Sequence, residues 1–112
     1  MDGDAAKQSI AELADAEQAF DDARSAYDKG DIDKGDAQLE KMTKALDACV
    51  GSLEAAHKAR FYKKAEIKVA LLQRRMSGLL DDIELPRRGW AEQTSRKLDE
   101  IHDKLLAGAM GK

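Results

Sequence analysis

Two histidines, one cysteine and a loop crowded with aspartates are the groups in this 112-residue chain whose chemistry has to be weighed first. His57 and His102 are the side chains able to exchange protons near neutral pH. Neither stands with a serine or cysteine in a nucleophile motif. Cys49 precedes His57 by two helical turns, about 11 Å, which is too far for a hydrogen bond that would activate the thiol. A single cysteine forms no intramolecular disulfide and cannot build a zinc site from several thiolates. Its spacing from Leu46, Val50 and Leu53 is that of a small buried hydrophobe.

The loop AYDKGDIDKGDAQLEK, Ala26 to Lys41, raises the question of calcium. An EF-hand loop needs oxygen donors at its first, third and fifth positions, glycine at the sixth and a bidentate glutamate at the twelfth. Starting from Asp31, the fifth position is Gly35, the sixth Asp36 and the twelfth Met42, so the pattern fails three times. A helix corner fits better. Gly30 takes the left-handed conformation that stops one helix, and Asp31 or Asp33 caps the next, where negative charge meets the positive end of the helix dipole.

Asp81, Asp82 and Glu84 with His102 are the best remaining metal candidates. Di-iron bundles, however, use a repeated Glu-x-x-His motif, which occurs here once, at Glu54 and His57. The glycines form no phosphate loop. The expectation is a protein that is not an enzyme, with no catalytic, cofactor-binding or metal residues.

The elements that would carry these groups are helical. Ile10, Leu13, Ala16, Phe20, Ala23 and Tyr27 recur at steps of three and four, one face of a helix from about residue 4 to 29. Leu39, Met42, Leu46, Cys49, Leu53 and Ala56 form a second stripe, and Tyr62, Ala65, Val69, Leu72, Met76, Leu79 and Ile83 a third. The step of six from Ala56 to Tyr62 breaks the phase between them. Residues 34–83 contain no proline, and Gly51 and Gly78 each cost roughly 1 kcal/mol in a helix interior. The favoured expectation is therefore one long central helix of about 50 residues, roughly 75 Å. Pro86 ends it. Trp90, Thr94, Leu98, Ile101 and Leu105 mark the last helix.

Length and composition agree with one domain over 1–112: 43 % hydrophobic residues rich in alanine, 4 % aromatic and 37 % charged. The fold class expected is all-α, an antiparallel bundle of three helices with a long central one. A four-helix bundle with that helix broken near residues 51–60 is the alternative.

Charge is segregated. The net charge is −3, with the first half acidic and residues 57–112 basic. Within the basic half, Lys58, Arg60, Phe61, Tyr62, Lys63, Lys64, Lys68, Arg74 and Arg75 are the candidate partner-binding residues. Two uses are open to them. A protein partner or a second copy of the chain is favoured, giving a non-catalytic interaction or self-association module. Nucleic-acid binding through 57–75, with the aromatic rings stacking on bases, is the alternative, and it is opposed by a pI near 5.4 and the acidic N-terminal half. No stretch approaches the roughly 20 apolar residues of a membrane span. Read as it stands, the chain is soluble and cytoplasmic. It is periplasmic or exported if a leader has been removed, because Asp2, Gly3 and Asp4 resemble the frayed start of a mature protein.

Two resemblances add to this reading. AEQAFDDARSAYDKGDIDKGDAQLEKMTKAL resembles one tetratricopeptide helix pair, with Phe20, Ala23 and Tyr27 on its first helix, Gly30 in the turn and Leu39 on the second. The spacing departs by one residue at Gly30, and Gly35 and Asp36 stand where a small packing residue is usual. With no second copy of the pattern, the resemblance implies a hairpin shape and no peptide groove. The block from Arg60 to Lys112, with KKAEIK, LLQRR and a final IHDKLL before a glycine-containing tail, resembles a group of small bacterial helical proteins. That group implies no assigned activity, an upstream helix pair and, often, an export signal.

Overall fold

Alanines at positions 16, 19, 23 and 26 give the first helix a face with nothing beyond Cβ, on which a second helix can lie closely. The computed structural model describes residues 2–111, and Met1 and Lys112, the ends of the expected domain 1–112, lie outside them. Among the described residues the chain forms α1 (Asp2–Asp28), α2 (Ile32–Ala56), α3 (Ala59–Asp82) and α4 (Gly89–Ala109), with a short 3-10 turn at Leu85–Arg87. The all-α expectation holds.

The acidic corner joins α1 to α2 as its residue types require. Gly30 is left-handed at φ 80°. Its N–H donates to the Tyr27 carbonyl at 2.9 Å, while the N–H of Asp31 reaches back to the Ala26 carbonyl at 2.9 Å, together a Schellman closure. The Asp31 carboxylate then accepts from the N–H of Lys34 at 3.1 Å, capping α2.

The long central helix is not formed, and the three-helix arrangement is corrected to four helices. His57 is left-handed at φ 54° and ψ 35°, its N–H donates to the Leu53 carbonyl, and Lys58 is extended, so the chain reverses within two residues. A continuous helix would measure about 75 Å; the longest dimension of the molecule is 43 Å. The phase break between Ala56 and Tyr62 is the mark of this reversal. Folding back puts both stripes into one core, whereas a straight helix would leave half of each in water. Gly51 stays inside α2, since glycine weakens a helix without obliging it to turn.

Side-chain pairs give the topology. Ser52 of α2 donates to Glu12 of α1 at 2.6 Å and Tyr27 donates to Asp36, so α1 and α2 are antiparallel. Gln73 donates to Asp99 at 2.8 Å and Glu66 meets His102, so α3 and α4 are antiparallel as well. Between the hairpins, α1 runs parallel to α3 and α2 parallel to α4. The fold is thus two stacked hairpins, with the sequence neighbours α2 and α3 on a diagonal. One apolar cluster runs through all four helices, with Phe20, Leu39, Met42, Leu46, Leu72, Met76, Leu98 and Ile101 at its centre.

The parallel seams are looser than the hairpins. Ile10 and Trp90, both expected on core faces, are 44 % and 40 % exposed, because each ends up at the rim of such a seam. Arg88, a base of the expected loop, instead turns inward and donates to the Ile83 carbonyl from Nη2 at 2.8 Å and Nε at 3.1 Å, holding the α3–α4 connection.

Candidate protein interface on α3

Eight of the nine candidate residues lie on α3, and Lys58 immediately precedes it. The helix has an inward face of Ala65, Val69, Leu72, Met76 and Leu79, all buried. What remains of the basic segment divides into side chains the fold uses and side chains it leaves in water.

The aromatic pair is used. Phe61 is half-buried against the core and lines a cleft of about 150 Å³ between α1 and α3, with Ile10, Leu13, Ala14 and Cys49. The Arg60 guanidinium lies over its ring at 5.0 Å. Tyr62 rests on Gly108 of α4, whose missing side chain leaves room for the ring. Burial and, after it, Glu54 raise the Tyr62 phenol above its ordinary range. Both rings are partly covered by the fold.

Part of the charge is used too. Lys68 pairs with Glu17 at 3.4 Å, and Arg75 pairs with Asp21 while its guanidinium covers the Phe20 ring at 4.6 Å. Arg24 of α1 pairs in the reverse sense with Asp82. The acidic and basic halves of the sequence therefore meet inside the molecule, along the α1–α3 seam. Lys63 pairs with Glu66 on its own helix at 3.3 Å. Among the described residues Lys58, Arg60, Lys64 and Arg74 make no ion pair.

Between these bases lie two side chains that the sequence reading passed over. Ile67 is 57 % exposed and Leu71 52 % exposed, one turn apart on the outward face of α3. Arg60, Lys63, Ile67, Leu71, Arg74 and Gly78 follow at steps of three and four, a stripe opposite the buried one. The signal was present in the sequence: Ile67 and Leu71 fall out of phase with a core face already complete. From Arg60 to Arg75 the one acid on α3 is Glu66, whose side chain is 12 % exposed and is taken by His102 and Lys63. The outward face is apolar and basic throughout that length.

The groups considered for catalysis are dispersed. Cys49 is buried, and its thiol is pushed up to about 11 by burial first and by Glu12 second. His102 Nε2 lies 2.9 Å from Glu66 Oε2, a contact between α4 and α3. Asp82 is engaged by Arg24, well separated along the bundle from His102, so the metal candidates are not brought together. Among the described residues no group of three or more histidine, cysteine and carboxylate side chains is placed to hold a metal ion. A second groove of about 300 Å³ separates α2 from α4, with Trp90 above Glu40, Thr43 and Lys97.

No family model matches the chain, and neither a curated protein nor a solved structure is similar enough to it to count as a match. Among the described residues no helix is long and apolar enough to cross a membrane.

Proposed function

We propose that the protein is a non-catalytic interaction module whose docking surface is the outward face of α3. The observation that carries this reading is the pairing of Ile67 and Leu71, both more than half exposed, with unpaired bases around them. Scattered exposed apolar residues are ordinary on a protein surface. Two of them adjacent on one helix face, at the centre of a stripe of like charge, fit an acidic protein surface with an apolar ridge. Burial of the two aliphatic chains supplies affinity, and the surrounding bases select and orient the partner. Nucleic acid is less well served, because Phe61 and Tyr62 are packed inward and Lys68 and Arg75 are neutralised by α1. The bacterial group suggested by the C-terminal sequence, and the repeat-like hairpin of the N-terminal half, are compatible with a scaffold of this kind and belong to the same proposal.

The test is fluorescence anisotropy with an acidic amphipathic peptide, glutamate and leucine at helical spacing. Wild-type protein binds it, and Ile67→Asp with Leu71→Asp weakens binding by about tenfold or more. If that double variant binds as the wild type does, the α3 surface is not the docking site. A single-stranded RNA probe bound more tightly than the peptide, with the steeper salt dependence, would transfer the reading to nucleic acid.

A further inference from the structure

The outward face of α1 carries the charge that the outward face of α3 lacks. We infer that the occupant of the α3 surface is the α1 surface of a second copy of this chain, in a two-fold dimer whose axis runs parallel to the helices. The inference rests on α3 being a docking surface, as proposed above.

On α1, Ala11, Ala14, Asp15, Gln18 and Asp22 are exposed, a face of small and acidic residues. On α3 the facing set is Lys64, Ile67, Leu71 and Arg74. The ion pairs Glu17–Lys68 and Asp21–Arg75 set the axial register between the two helices within one molecule. By that register Ala14 is level with Ile67, Gln18 with Leu71 and Asp22 with Arg74. Rotation about an axis parallel to the helices leaves every residue at its own level. It therefore lays α1 on α3 of the second copy in the same register and simultaneously α3 on its α1.

Such a contact is complementary in two respects. Asp22 meets Arg74, and the two-fold makes the pair twice. Ile67 and Leu71 pack where Ala11 and Ala14 leave room, beside Ile10 at the rim of the α1–α3 cleft. At the far end Lys7 comes level with Arg60, with Asp4 one turn away on the same helix. A polyanion on the same surface would instead meet the acids of α1 immediately beside the bases of α3. A second copy satisfies both faces together.

The experiment is light scattering after size exclusion on the full chain at low and high salt, with circular dichroism showing that each variant stays helical. A dimer that weakens at high salt is expected. Arg74→Glu alone and Asp22→Arg alone each weaken association by about tenfold or more, since each opposes like charges. An equimolar mixture of the two variants recovers the dimer, because in the mixed pair every acid faces a base on both sides of the axis. A monomer at every salt, single variants that still dimerise, or a mixture that fails to recover would each overturn the inference. A monomer that still binds the acidic peptide overturns the second copy alone. A monomer that also fails to bind the peptide overturns the α3 surface with it.

Discussion

The ring of Tyr27 fills the space that a side chain at residue 35 would occupy. A Cβ built on Gly35 falls 2.6 Å from the ring, and the ring is buried, with its hydroxyl donating to Asp36. Burial, followed by Asp36, keeps that phenol far above the ordinary tyrosine range, so it remains a donor. Gly35→Ala is expected to lose about 1–3 kcal/mol by overpacking, in spite of alanine's better helix propensity. Gly51→Ala, where nothing lies within 4 Å, is expected to gain about 0.5–1 kcal/mol. Urea denaturation of the two variants reads the opposite signs directly.

His57 reverses the chain in a conformation that suits glycine. Left-handed backbone costs an ordinary residue about 1–2 kcal/mol. His57→Gly is expected to raise the urea midpoint by up to about 1 kcal/mol of stability, glycine's greater freedom when unfolded offsetting part of the relief. His57→Val, branched at Cβ, is expected to lower it. A midpoint lowered by glycine would mean that the imidazole makes a contact that outweighs the backbone term.

The Glu66 carboxyl is held below its ordinary value of 4.5, first by the hydrogen bond with His102, with burial opposing and Lys63 adding to the depression. A depressed carboxyl contributes stability that is complete above its unfolded value and is lost as pH falls through the folded one. Thermal melts of the wild type are therefore expected to hold this contribution above about pH 4.5 and lose it below. Glu66→Gln removes the titrating group, so its melting temperature should fall less steeply across the same acid range. Equal slopes for the two proteins would show that the helix contact does not depend on the charge.

Cys49 is 1 % exposed, and its thiol is raised to about 11 by burial and then by Glu12. The thiolate is the reactive form, so at pH 8 the native thiol is both hidden and protonated. Ellman's reagent is expected to modify the folded protein at least about a hundredfold more slowly than the urea-unfolded chain. Rapid modification of the native protein would mean that the cleft between α1 and α3 opens readily.

Much of the local structure was legible from residue type. The Gly30 stop and the Asp31 cap were readable because both act within one turn of chain. The buried stripes of α2, α3 and α4 were readable because a core face repeats at the helical period. The charge segregation was equally plain, but its use was not. Whether Glu17 and Asp21 meet Lys68 and Arg75 of their own molecule depends on α1 lying beside α3, which no local pattern states. Of the nine candidate residues, the fold engages Phe61, Tyr62, Lys63, Lys68 and Arg75, leaves Lys58, Arg60, Lys64 and Arg74 without an ion pair among the described residues, and adds Ile67 and Leu71 beside them.

Taken by itself, the amino-acid sequence determined that this chain is helical, that it caps and turns at residues 28–31, and that it ends its third segment before Pro86. These follow from backbone propensities and periodicities over fewer than about 20 residues. The tertiary structure decided between one long helix and a break near residues 51–60 in favour of the break, at His57, and it alone decided that Tyr27 and Tyr62 close on Gly35 and Gly108 and that α1 pairs with Lys68 and Arg75 of the basic segment. Those outcomes depend on where stripes far apart in sequence come together. A left-handed histidine is adopted there because burying two apolar stripes in one core outweighs the local strain of the turn.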